Sequence, residues 1–235
     1  VMGAIYRREM GAFFSSPIAY IVLAVFYLFS GYFFYQSSIL YSVSNLSSAF
    51  SAMFLVIVFI IPIMTMKLMS EEKKQKTDQG LLTAPIKLSS IVLGKYFAAL
   101  TLYVFAVSIF LVFALILQFY GGVQWSEVFS NYIALILLGS AFIGISLFIS
   151  SLTENQVIAA IGGFVGLMVC YLLDTIATSV TWEPLSKLLS SLSFFTRYTE
   201  FTTGLFNYSS ILYFVSTAVV FNFLTVRVLE KRRWS

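Results

Sequence analysis

The sequence contains no histidine, one cysteine and four prolines, and only 10% of its residues are charged. Without histidine there are no imidazole metal ligands, no His–Asp dyads and no histidine proton relays. The lone thiol, Cys170, forms no internal disulfide, and inside an apolar run it reads as a small buried residue. No Gly-Lys-Ser or Gly-Lys-Thr phosphate loop, paired-carboxylate site or zinc-ligand spacing occurs. Catalytic, cofactor-binding and metal-binding residues are therefore none by this reading, and an enzyme is not expected. No acid or base lies near the centre of any apolar run. Charge within a membrane is costly and usually marks an ion or proton path, so a proton-coupled pump is disfavoured.

Apolar residues make up 60% of the 235-residue chain, with 25 Phe and 14 Tyr. Average soluble domains carry about 25% charged residues. Six apolar stretches dominate, at residues 18–38, 50–69, 91–120, 132–150, 157–173 and 211–229. A spanning helix needs about 20 residues, which most of these meet directly. The run 54–63 shows none of the alternation a membrane β-barrel requires. The expected fold class is an all-α membrane protein with six transmembrane helices. Arg7 and Arg8 precede a long span with no small-residue cleavage pattern after it, so no signal peptide is expected.

Six spans put both termini on one side. That side then carries 12 of the 14 Lys and Arg residues, leaving Lys187 and Arg197 opposite. The positive-inside rule places both termini in the cytoplasm. The net charge of +4 reflects these membrane-flanking residues and implies no nucleic-acid partner.

Residues 1–16 read as an interfacial helix. Met2, Ile5, Met10, Phe13 and Phe14 share one side, with Arg7, Arg8 and Glu9 towards water. Pro17 suits the first turn of the next helix. The loop 67–95 begins polar and then presents the apolar patch Leu81, Leu82, Thr83, Ala84, Pro85, Ile86. Apolar residues outside the membrane need a partner surface, so residues 70–89 read as a cytosolic coupling helix. Lys95 is expected to snorkel to the interface. In the fifth span, Ala159, Gly162, Gly163 and Gly166 are spaced for close helix packing. Residues 175–208 read as outer re-entrant or interfacial helices before the sixth span, with Arg197 and Glu200 as a possible outer gate.

Residues 71–95 carry the most specific motif. Glu71, Glu72, Lys73, Thr77, Leu81, Leu82, Thr83, Pro85, Gly94 and Lys95 match a pattern of ABC-2 type permeases, the membrane half of ATP-binding cassette transporters, which this chain resembles throughout. Lys76 stands where such permeases usually have Gly, Gln79 where they have Glu, and Gly80 where they have an apolar residue. Phe148–Ala160 at the fourth-to-fifth turn is a second match. The resemblance is strongest to permeases associated with bacterial gliding motility, with those of nitrous-oxide-reductase maturation as relatives.

The resemblance implies one ABC-2 transmembrane domain over residues 1–235 in a bacterial inner membrane. Its partners would be cytosolic ABC ATPase subunits, a second permease protomer in a homo- or heterodimer, and membrane lipid. No cofactor is expected in this chain; ATP and Mg would be bound by the ATPase. Glu71, Glu72, Lys73, Thr77, Leu81, Leu82, Thr83 and Pro85 would be the ATPase-coupling residues. Export is the usual job of the family, and a non-transporting membrane anchor for an ATPase in a motility or assembly machine is the alternative.

Overall fold

A computed structural model describes residues 2–41, 45–76, 86–179, 182–202 and 207–233. The described residues form ten α-helices and no strand. They are α1 (Met2–Ser15), α2 (Pro17–Phe34), α3 (Ser47–Lys74), α4 (Leu88–Val107), α5 (Ile109–Tyr120), α6 (Trp125–Leu152), α7 (Gln156–Ser179), α8 (Glu183–Ser191), α9 (Phe194–Thr202) and α10 (Tyr208–Arg233). A π-helical turn, Tyr35–Ile39, extends α2.

Six helical segments are long and apolar enough to cross a membrane: Pro17–Ile39, Ser47–Lys74, Leu88–Tyr120, Trp125–Leu152, Gln156–Ser179 and Tyr208–Arg233. At about 1.5 Å rise per residue, even the 23-residue first span exceeds the ~30 Å hydrocarbon core. The chain is an all-α, multi-pass membrane protein.

The ends of the helices follow local chemistry. Ser16 accepts the Ile18 N–H at 3.4 Å, and Pro17 occupies the first turn of α2, where its missing N–H leaves nothing unpaired. The third span is one apolar run in sequence but two helices in space. The Ser108 hydroxyl donates to the Val104 carbonyl at 2.8 Å, the same carbonyl its backbone N–H reaches at 3.0 Å. Serine bonding back to its own helix bends it. Gly121 ends α5, and Gly122 turns the chain at φ 79, in the left-handed region that glycine tolerates.

The core is α3 and α6. Of their apolar windows, 67% and 72% are buried, against 17% for α7 and 22% for α10. Helix α6 packs on α3, α7, α4 and α10, and α2 leans on α3. The peripheral helices turn large apolar side chains outward, among them Ile158, Ile161 and Val165 of α7, which suits a lipid solvent.

The segment after the fifth span differs from expectation. Helix α7 runs on to Ser179, so Asp174 is within the helix rather than at its end. Its carboxylate accepts the Thr196 hydroxyl at 2.6 Å, which makes its position tolerable. Helix α9 wedges between α3, α6 and α7. Tyr198 is fully buried and donates to the Phe50 carbonyl at 2.8 Å. Phe54 sits at the middle of an aromatic cluster with Phe142, Tyr171, Phe195 and Tyr198, each ring 5.5 or 5.6 Å away. The end of the bundle away from the termini is thus packed with aromatic rings.

Candidate functional site: a buried charge cluster at the basic end

Four charged side chains meet where α1, the end of α3 and the start of α4 converge. The Lys95 ammonium, only 1% exposed, donates to the Leu68 carbonyl at 2.6 Å, to Glu9 Oε1 at 3.2 Å, and lies 3.0 Å from Glu72 Oε2. Arg8 closes the ring by bridging Glu9 and Glu72. Burial opposes the charge on the Arg8 guanidinium, but the hydrogen bonds and charges of Glu9 and Glu72 outweigh it and hold its pKa above the ordinary value.

Two expectations are corrected here. Glu9 is buried rather than turned to water, and Lys95 does not snorkel. The reason is mutual: a buried ammonium needs carboxylates and a carbonyl around it, and the buried Glu9 carboxylate needs a cation. The sequence carried one overlooked signal. Ile5, Glu9 and Phe13 recur at intervals of four and together form the buried face of α1.

Gly94 explains how α1 comes so close. A Cβ at this position would sit 2.9 Å from Ile5 Cγ2 and 3.3 Å from the Met2 carbonyl. The Gly-Lys pair therefore supplies a notch and a charge side by side. Beside the cluster is a cleft of about 460 Å³ lined by α1 and the end of α3, including Arg8, Lys67, Glu71 and Gln75.

The remaining residues singled out from sequence fall as follows. Glu71 accepts from Gln75 at 3.3 Å one turn on, and Lys73 donates to the Leu152 carbonyl at 3.3 Å, tying α3 to the end of α6. Thr77, Leu81, Leu82, Thr83 and Pro85 lie outside the described residues. On α7, Ala159 and Gly163 are on the buried face. A Cβ on Gly163 would stand 3.0 Å from Pro62, and one on Gly162 or Gly166 would press on Ile149 at 3.0 or 2.9 Å. At the far end, Arg197 donates to the Ser191 carbonyl at 3.0 Å and to the Ser209 hydroxyl at 3.3 Å, and stacks 4.5 Å over Tyr213. Glu200 accepts from Ser210 at 2.6 Å and Asn207 at 3.0 Å. Both side chains fasten α9 to the start of α10.

Lys76, which follows α3, has φ 56. A side chain in this left-handed conformation costs about 1–2 kcal/mol, whereas glycine adopts it freely. Similar permeases usually carry glycine here. Lys76→Gly is expected to raise stability by about 1 kcal/mol, read as a higher unfolding midpoint in detergent. An unchanged or lower midpoint would count against the strain.

The family model described as "ABC-2 family transporter protein" matches residues 4–234. No curated protein matches the chain. That match spans all six apolar helices and the charge cluster at their basic end. The chain belongs to the ABC-2 transporter family, as the membrane-spanning permease of an ABC transporter whose members work in general with a cytosolic ABC ATPase.

Proposed function

We propose that this permease is an exporter subunit of the bacterial inner membrane, driven by ATP and Mg bound to a separate cytosolic ATPase. Both termini face the cytoplasm, on the strength of the 12-to-2 distribution of basic residues. A second protomer, identical or related, completes the membrane unit. The motif residues favour the gliding-motility-associated branch.

One observation carries the mechanism. The coupling segment, residues 70–89, carries Glu72 at the end of α3 and is followed by Lys95 near the start of α4, and these two groups are ion-paired. Force applied to the segment therefore arrives at both helices at once. Through Glu9 the same cluster holds α1, which continues into α2 after Ser16. Closure of the ATPases would move α1, α3 and α4 as one block, with α2 following. A nucleotide shifts such an equilibrium only by binding the two states differently, and the ATPase supplies that difference.

Removal of residues 81–85 is expected to abolish permease-stimulated ATP hydrolysis in proteoliposomes while membrane insertion persists. Normal turnover by the shortened permease in complex would sink the coupling assignment. Co-purification of a nucleotide-hydrolysing subunit with the intact chain tests the partnership itself.

A further inference from the structure

A second cavity, of about 940 Å³, lies between α4 and α10 over a floor formed by α6. It is distinct from the charge cluster, which occupies another face of α4. Its walls are chiefly apolar, from Leu88, Val92 and Leu93 to Val219 and Phe223. Lys87 and Arg233 line the mouth at the end of the bundle that bears the termini.

The polar groups are distributed unevenly along this groove. At the deep end the tyrosine and serine hydroxyls and one amide N–H are spent on the chain's own carbonyls. Tyr96 donates to Ser140 at 3.2 Å, Ser140 to Leu137 at 2.6 Å, and Asn222 to Ala218 at 2.8 Å. The Asn222 amide oxygen is buried and without a partner among the described residues. An occupant of the deep end therefore meets chiefly apolar walls, which suit hydrocarbon. At the mouth, Glu230 is neutralised by Arg227 at 2.6 Å. Lys87 and Arg233 are exposed, and neither forms an ion pair among the described residues. The mouth therefore calls for an anion.

Length agrees with charge. From Leu88 to Leu100 the wall rises by roughly 18 Å at 1.5 Å per residue, close to the ~15 Å of hydrocarbon in one leaflet. We propose that this groove is a binding site for one anionic phospholipid from the leaflet at the basic end, its phosphate between Lys87 and Arg233 and an acyl chain along α4 and α10. Basic pockets between membrane helices select such headgroups. The lipid backs α4 along Val92 and Tyr96, which flank the notch-and-charge pair Gly94 and Lys95 in sequence, so its occupancy braces the helix that holds the ion cluster.

The full-length permease in nanodiscs of phosphatidylcholine, titrated with phosphatidylglycerol and followed by native mass spectrometry and thermal unfolding, tests this. Saturable retention of phosphatidylglycerol over phosphatidylcholine is expected. K87Q/R233Q is expected to weaken it about 30-fold, at about fivefold per cation. Val219→Trp, which fills the groove from an exposed position and leaves the cations in place, is expected to lose retention as well. Equal retention of both lipids would overturn the headgroup assignment. Undiminished phosphatidylglycerol binding by Val219→Trp would put the lipid elsewhere. Asn222→Leu is expected to hold the lipid as well as or better than the parent; weaker binding would mean an occupant with a deep donor, such as a partner helix.

Discussion

Lys95→Met is expected to loosen α1 from the bundle by about 3–5 kcal/mol, because removing one partner from a buried ion cluster strands the others. Glu9 and Glu72 would then face each other with Arg8 still bridging them among the described residues. The readout is protease cleavage within α1 in reconstituted permease, together with permease-stimulated ATP hydrolysis. Cleavage should accelerate and stimulation should fall at least about tenfold, since 1.4 kcal/mol already changes an equilibrium by that factor. A companion variant separates stability from coupling. Adding Glu9→Gln and Glu72→Gln removes the stranded carboxylates and leaves only the half-exposed Arg8, and neutral replacement of buried charges is often tolerated. The triple variant should regain most of the protection of α1 but not the stimulated turnover. Recovery of both would mean that the cluster only holds the fold together.

Gly139→Ala is expected to cost about 3 kcal/mol or more, from overpacking and a lost buried hydrogen bond. A Cβ at Gly139 would be 2.1 Å from Tyr103 Cε1 and 2.3 Å from Cζ. The ring has nowhere to retreat. Tyr103 is 2% exposed, its hydroxyl donates to the Leu135 carbonyl at 2.8 Å, and Phe26 meets it edge-on at 6.5 Å. The expected outcome is a large drop in the detergent unfolding midpoint. A double-mutant cycle checks the cause: with Tyr103→Ala in the background, Gly139→Ala should cost little. An unchanged penalty there would place the effect in the backbone of α6 rather than in the contact.

The six spans were legible because membrane burial leaves long, uninterrupted apolar runs, and hydropathy reads those directly. The break at Ser108 was not, since one hydroxyl among apolar neighbours leaves hydropathy high on both sides of it. The charge cluster was half legible. Glu72 and Lys95 stood out through the permease motif, but nothing local told of their pairing across 23 positions. Glu9 was hidden by its neighbours: beside Arg7 and Arg8 it looks like part of a wet face, whereas its partners at Ile5 and Phe13 put it on the dry one. Asp174 misled in the opposite way. A carboxylate after an apolar run signals an end, yet a hydroxyl 22 residues later lets the helix continue. Tertiary partners distant in sequence decide each of these cases, and no window along the chain contains them.

The order of synthesis gives the cluster a further meaning. Both carboxylates that surround Lys95 precede it in the chain, so they are already made when the ribosome reaches the third span. That span carries an ammonium near its basic end, and burying such a charge unpaired is costly. Lys95 thus arrives with its counter-ions already synthesised and joins Arg8 in pairing them. A nascent chain halted before residue 95 lacks the buried cation that latches its first helix.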